Sequence, residues 1–133
     1  MQSQNIPPDD KHRKAISSLI DQYSEAREKK DTVLLKRILT SDIDQLVSTG
    51  EWRNGMSSSV KGMLNSSAGS PGTRTLTVDK MRLFSPSVAI VDCKYEIQNQ
   101  DGTVRKMWST FVVVSEKGVW KISAIRNMLP AGQ

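Results

Sequence analysis

The stretch "LFSPSVAIVDCKYEI", residues 83–97, decides the fold. Its "SPS" is a turn signal, because proline cannot donate to a strand ladder. From Val88 the pattern repeats every two residues. Ala89, Val91, Cys93, Tyr95 and Ile97 form one set; Val88, Ile90, Asp92, Lys94 and Glu96 form the other. Side chains alternate between the two faces of a strand. The first set, apolar throughout, therefore faces a core. The second starts apolar and ends charged. A strand of this kind belongs in an antiparallel sheet with one covered face.

The neighbouring segments share this texture. Upstream, "TRTLTVDKMRLF" (73–84) alternates through Leu76 and Val78, then shifts register before Met81 and Leu83, as a β-bulge would cause. Downstream, "QNQDG" is a turn, "TVRKMWSTFVVV" (103–114) a strand, "SEKG" a hairpin turn and "VWKISAIRNML" (119–129) a closing strand. Together they predict a four-stranded antiparallel meander.

The amino-terminal half reads as helical. Asp9 or Asp10 can cap a helix whose apolar stripe is Ile16, Leu19, Ile20, Tyr23 and Ala26, ending near Lys29. Asp31 caps a second, shorter helix with Leu34, Leu35, Ile38 and Leu39 inward. "IDQLVSTG" (43–50) reads as a strand, "EWR" as a short return strand and "NG" as a turn. Residues 57–65 read as a third helix, with Val60, Met63 and Leu64 inward, and "NSSAGSPG" (65–72) as a flexible loop. Helices followed by a meander indicate an α+β domain with helices on one sheet face.

The 133 residues suit one domain, with residues 1–8 a disordered tail and 9–133 folded. With a single cysteine, Cys93, no intrachain disulfide can form, and no Cys/His cluster suggests zinc. No run reaches the ~20 apolar residues of a membrane span, and the amino terminus lacks a signal-type apolar stretch. The expectation is a cytoplasmic protein, or the mature form of a secreted one. The formal charge is +5, but the basic residues are scattered. No aromatic platform alternates with Lys or Arg on one face, which argues against nucleic acid as a partner.

The element order and several strings, "TGEWRNG", "LFSPSVAIVDCKYEI" and "GVWKISAIRN", resemble the nuclear transport factor 2-like, cystatin-like superfamily, in particular its bacterial SnoaL-like and ketosteroid-isomerase-like branch. The resemblance covers Lys14 to Leu129. It implies an α+β fold in which a curved, mostly antiparallel sheet forms a cone, with three helices packed on its concave face. It does not specify function, since such folds serve many chemistries.

The resemblance also implies a ligand pocket inside the cone. Its expected walls are Tyr23, Trp52, Met63, Tyr95, Trp108 and Arg126. Trp52 would either close over a ligand or pack against the third helix. By alternation Trp120, Ile122, Ala124, Arg126 and Met128 share a face, and family analogy turns that face inward. Arg126 would then hold a carboxylate or phosphate, or else reach solvent or pair with a helix acid. Asp92 points away from this pocket.

Catalytic constellations are sparse. The lone histidine, His12, starts the first helix, and Cys93 reads as a core thiol. No inward carboxylate base is evident. The expected function is a small-molecule-binding domain with a mostly apolar pocket, for an apolar or weakly acidic ligand, with no metal or cofactor. The alternative is an isomerase- or cyclase-type enzyme with an unidentified base. "TFVVV" (110–114) is apolar on both faces, which predicts a homodimer through the sheet.

Overall fold

The computed structural model describes residues 8–69 and 72–131. The tail expected over residues 1–8 lies, apart from Pro8, outside the described residues. Helix α1 (Asp10–Lys29) starts at Asp9, whose carboxylate accepts the His12 backbone N–H at 2.8 Å. It ends at Lys30, in the left-handed conformation at φ 53°. Helix α2 (Thr32–Ile38) is capped by Asp31, which accepts the Leu34 N–H at 3.0 Å. Both starts satisfy backbone donors that a helix leaves unpaired.

Strand β1 (Leu39–Leu46) follows directly, and β2 (Trp52–Asn54) returns antiparallel to it. Helix α3 (Gly55–Gly69) begins two residues earlier than expected and ends four later, absorbing most of the anticipated flexible loop. The meander is β3 (Gly72–Ser85), β4 (Val88–Asn99), β5 (Val104–Glu116) and β6 (Val119–Met128). Strands β3 and β4 shift register between Val78 and Lys80, as the expected bulge requires. Lys117 and Gly118, both at positive φ, form the two-residue β5–β6 turn. Positive φ at both positions gives a turn whose twist matches the flanking strands.

The expected cone is not formed. The six strands lie in the order β2-β1-β6-β5-β4-β3, so β2 and β3 are free edges of an open sheet that does not curl strongly. Closure would need those edges to pair. Three-residue β2 offers little ladder to fourteen-residue β3. The sheet is also mixed, because β1 runs parallel to β6.

The core lies between the helices and one sheet face. Ile16, Leu19, Ile20, Tyr23, Leu35, Ile38 and Met63 from the helices meet Val91, Cys93, Phe111, Val113, Ile122 and Ile125 from the strands. In β4, Ala89, Val91, Cys93, Tyr95 and Ile97 are all buried, as the alternation at residues 88–97 requires.

Candidate functional site

Toward one end of the helix-covered face the layers part around a cavity of about 240 Å³. The β4 and β5 residues on this face there are Tyr95, Ile97, Met107 and Arg105, since Tyr95 pairs with Met107 and Ile97 with Arg105. Asn127 enters from β6, Gln45 and Arg53 from β1 and β2, Arg27 from α1 and Ser66 from α3. Val47, Ser48, Thr49 and Glu51 complete one side. The lining is mainly polar, whereas a mostly apolar pocket was expected.

Arg27 is 7% exposed. Its Nε donates to Ser67 Oγ at 3.1 Å and a terminal nitrogen donates to Tyr23 Oη at 2.9 Å. Burial opposes its charge, but interactions with the Tyr23 and Tyr95 hydroxyls outweigh that cost, so its pKa lies above the ordinary arginine value. Arg53 donates to Gln45 Oε1 at 3.0 Å, anchoring a glutamine that is itself buried. The Arg53 Nε is buried without a hydrogen-bond acceptor; Glu51 Oε1 stands 3.7 Å away. Arg105, exposed at the mouth, reaches Ser48 Oγ at 3.5 Å. Buried Ser109 donates to Asn127 Oδ1 at 2.7 Å and orients that amide.

Of the six expected wall residues, Tyr95 lines this cavity. Tyr23 stands behind it, bonded to Arg27 and edge-on to Phe111. Met63 is wholly buried in the core. Trp52, Trp108 and Arg126 lie on the opposite, helix-free face. There Trp52 is 50% exposed and Trp108 37%. The six residues therefore do not gather into one site.

Arg126 lies there because of a bulge. Strand β6 slips register against β5 between Val112 and Val113, so Ala124 pairs with Val112 while Ile122 pairs with Val113 and Ser123 is extra. One extra residue reverses the alternation. Trp120 and Ile122 stay on the helix-covered face, but Ile125 and Asn127 replace Ala124 and Arg126 on it. Arg126 binds Asp44 Oδ1 at 2.8 Å, and its guanidinium stacks on Trp52 at 4.7 Å.

Arg27, Gln45, Arg53 and Arg105 escaped the sequence reading. One signal was available: Arg27 follows Tyr23 by four residues and so falls on the buried stripe of α1. The two strand arginines become site residues only through cross-strand pairing.

The fold recurs in solved structures. A domain of unknown function with a cystatin-like fold from Nostoc punctiforme superposes with a TM-score of 0.80 at 15% identity, over 92% of this chain and 80% of that one. An NTF-2 like protein of unknown function from Shewanella oneidensis MR-1 gives 0.74 at 17% identity, over 87% and 98%. The fold is NTF2-like. A Xanthomonas campestris protein named as a calcium/calmodulin dependent protein kinase II association domain shares this NTF2-like fold at 0.77 and 15% identity, over 100% and 99%. At these identities the likeness is one of fold. No protein-family model and no curated protein matches the chain.

Other chemistry-bearing groups lie apart from the cavity. His12 bonds Asp9 Oδ1 through its ring at 2.7 Å and meets the edge of Trp120. Burial, with Asp92 and Asp79 nearby, pushes the Cys93 thiol up to about 12. Among the described residues, no group of three or more His, Cys, Asp or Glu is placed to hold a metal ion. None of the described helices is long and apolar enough to cross a membrane.

Proposed function

We propose that this NTF2-like chain is a small-molecule-binding domain and that its ligand occupies the cavity beside Tyr95. The observation that carries this reading is the cavity itself. It is a recess of about 240 Å³ with an apolar wall (Val47, Ile97, Met107 and the Tyr95 ring) facing convergent polar groups. Ligand sites combine these two features. Native mass spectrometry of the purified protein tests it. A bound species released by denaturation is expected. A bare mass, together with a crystal structure in which side chains fill the recess, would overturn the reading.

Placement in the SnoaL-like and ketosteroid-isomerase-like branch is part of this proposal, and isomerase or cyclase activity is its alternative. Such chemistry needs a carboxylate base facing the substrate and a donor for the oxyanion. Tyr95 could serve as donor. Among the described residues the cavity's only carboxylate is Glu51, exposed and opposite Arg53. Binding accounts for more of this lining than turnover does.

We further propose a homodimer through the helix-free face. On it Val88 pairs with Val114 and Ile90 with Val112, an apolar patch two strands wide whose members are all partly exposed. Asp92 and Thr110, joined by a 2.7 Å hydrogen bond, begin its polar rim. Exposed contiguous patches of this kind mark interaction sites. The name of the Xanthomonas campestris relative, an association domain, is compatible with assembly through this fold. Sedimentation equilibrium at micromolar concentration should show a dimer that Val112→Lys dissociates. A monomer at all concentrations would overturn the proposal.

A further inference from the structure

We propose that Arg27, Arg53 and Arg105 bind the oxyanion group, carboxylate or phosphate, of a small organic acid in the interlayer cavity. The inference rests on the small-molecule reading above and names the ligand class.

Arg27 is the first reason. It is buried and charged, yet its hydrogen-bond partners are the hydroxyls of Tyr23, Tyr95 and Ser67 rather than a carboxylate. Among the described residues it takes part in no ion pair. A buried cation without a counter-charge is costly, and folds keep one where something else supplies the charge. The adjoining cavity is where that anion would sit.

Arg53 is the second reason. Gln45 holds one end of its guanidinium, while the buried Nε has no acceptor. Glu51 is too far for a hydrogen bond and is itself largely in solvent. An oxyanion with two acceptor oxygens fits such an unused donor, because a guanidinium presents its N–H groups as a planar fork.

The lining carries three guanidinium groups against one carboxylate. Around a recess walled on several sides by protein their attraction for an anion exceeds what the same charges exert on an open surface. Arg105, held only weakly by Ser48, is free to turn toward an entering acid. The apolar wall of Val47, Ile97, Met107 and the Tyr95 ring takes the organic body. A volume of about 240 Å³ lies below the roughly 300–1,000 Å³ of drug-sized pockets, so the acid is small.

Binding of benzoate, phenyl phosphate, inorganic phosphate and neutral benzamide, followed by NMR shifts of Met107 and Ile97 methyl groups, tests this. Benzoate or phenyl phosphate should bind at least about tenfold more tightly than benzamide. Arg53→Ala and Arg105→Ala should each remove most of that preference. Both positions are only partly buried or exposed, so a retained thermal transition would show that the variants fold. Inorganic phosphate binding as tightly as the organic acids would support the oxyanion site and assign it to the free anion. Equal binding of benzoate and benzamide would overturn the inference and leave the small-molecule reading intact. No shift with any anion would also overturn it, while a co-purifying species in native mass spectra would still uphold that reading.

Discussion

Arg53 lies directly across Gly62. A Cβ at position 62 would collide with the Arg53 Nε and stand 2.5 Å from its Cδ and 2.7 Å from its Cζ. The glycine in the middle of α3 is therefore the floor on which the guanidinium rests.

This relationship separates stability from binding. Gly62→Ala places a better helix former inside α3, worth up to about 1 kcal/mol, and the obstructing atoms belong to the end of a flexible side chain. The variant should lose Arg53 from Gln45 and bind benzoate several-fold more weakly. Leaving the buried Gln45 oxygen unpaired offsets the helix gain, so the melting temperature should lie near the parent value. Calorimetric melting and a benzoate titration on the same sample check both halves.

Arg126→Met should leave acid binding unchanged, because the side chain lies on the helix-free face. Its loss removes the stack on Trp52 and the ion pair with Asp44, both about a third exposed. The expected cost is about 0.5–1 kcal/mol. Urea unfolding gives the stability change, and an unaltered benzoate affinity would separate Arg126 from the Arg27 cavity.

Leu19→Ala should cost ~2–5 kcal/mol, since Leu19 is buried in the central cluster and truncation leaves a cavity there. Unchanged unfolding on urea titration would contradict the packing of α1 against the sheet.

Cys93 supplies the pH dependence. Burial first, then Asp92 and Asp79, raise its thiol to about 12 in the fold. An unfolded cysteine ionises near 8.5. The folded state therefore holds this proton more tightly. The corresponding stability is fully present below the unfolded value and is lost progressively as pH rises from there toward about 12. Native protein at pH 8 should resist iodoacetamide, and urea-unfolded protein should be alkylated quickly. Cys93→Ala should flatten the alkaline limb of the stability profile.

The meander was legible because each of its strands carries its own alternation and its turns their own residues. The α1 and α2 starts were legible because Asp9 and Asp31 act on donors three residues away. The cone was not. Whether a sheet closes depends on edges far apart in the chain, here β2 and β3, and neither contains information about the other.

The sequence by itself determined an α+β domain, its caps, its meander and the buried face of β4, because each rests on residues within a few positions of one another. Only the tertiary structure decided the candidate site. Ser123, inserted opposite the Val112–Val113 step, reverses the alternation of β6 and sends Arg126 to the helix-free face with Trp52. Cross-strand and helix–sheet contacts instead bring Arg27, Arg53 and Arg105 to one recess. A bulge is set by the pairing of two strands, and a cavity by the packing of layers. Both are long-range balances of contact energy that no short window of sequence contains.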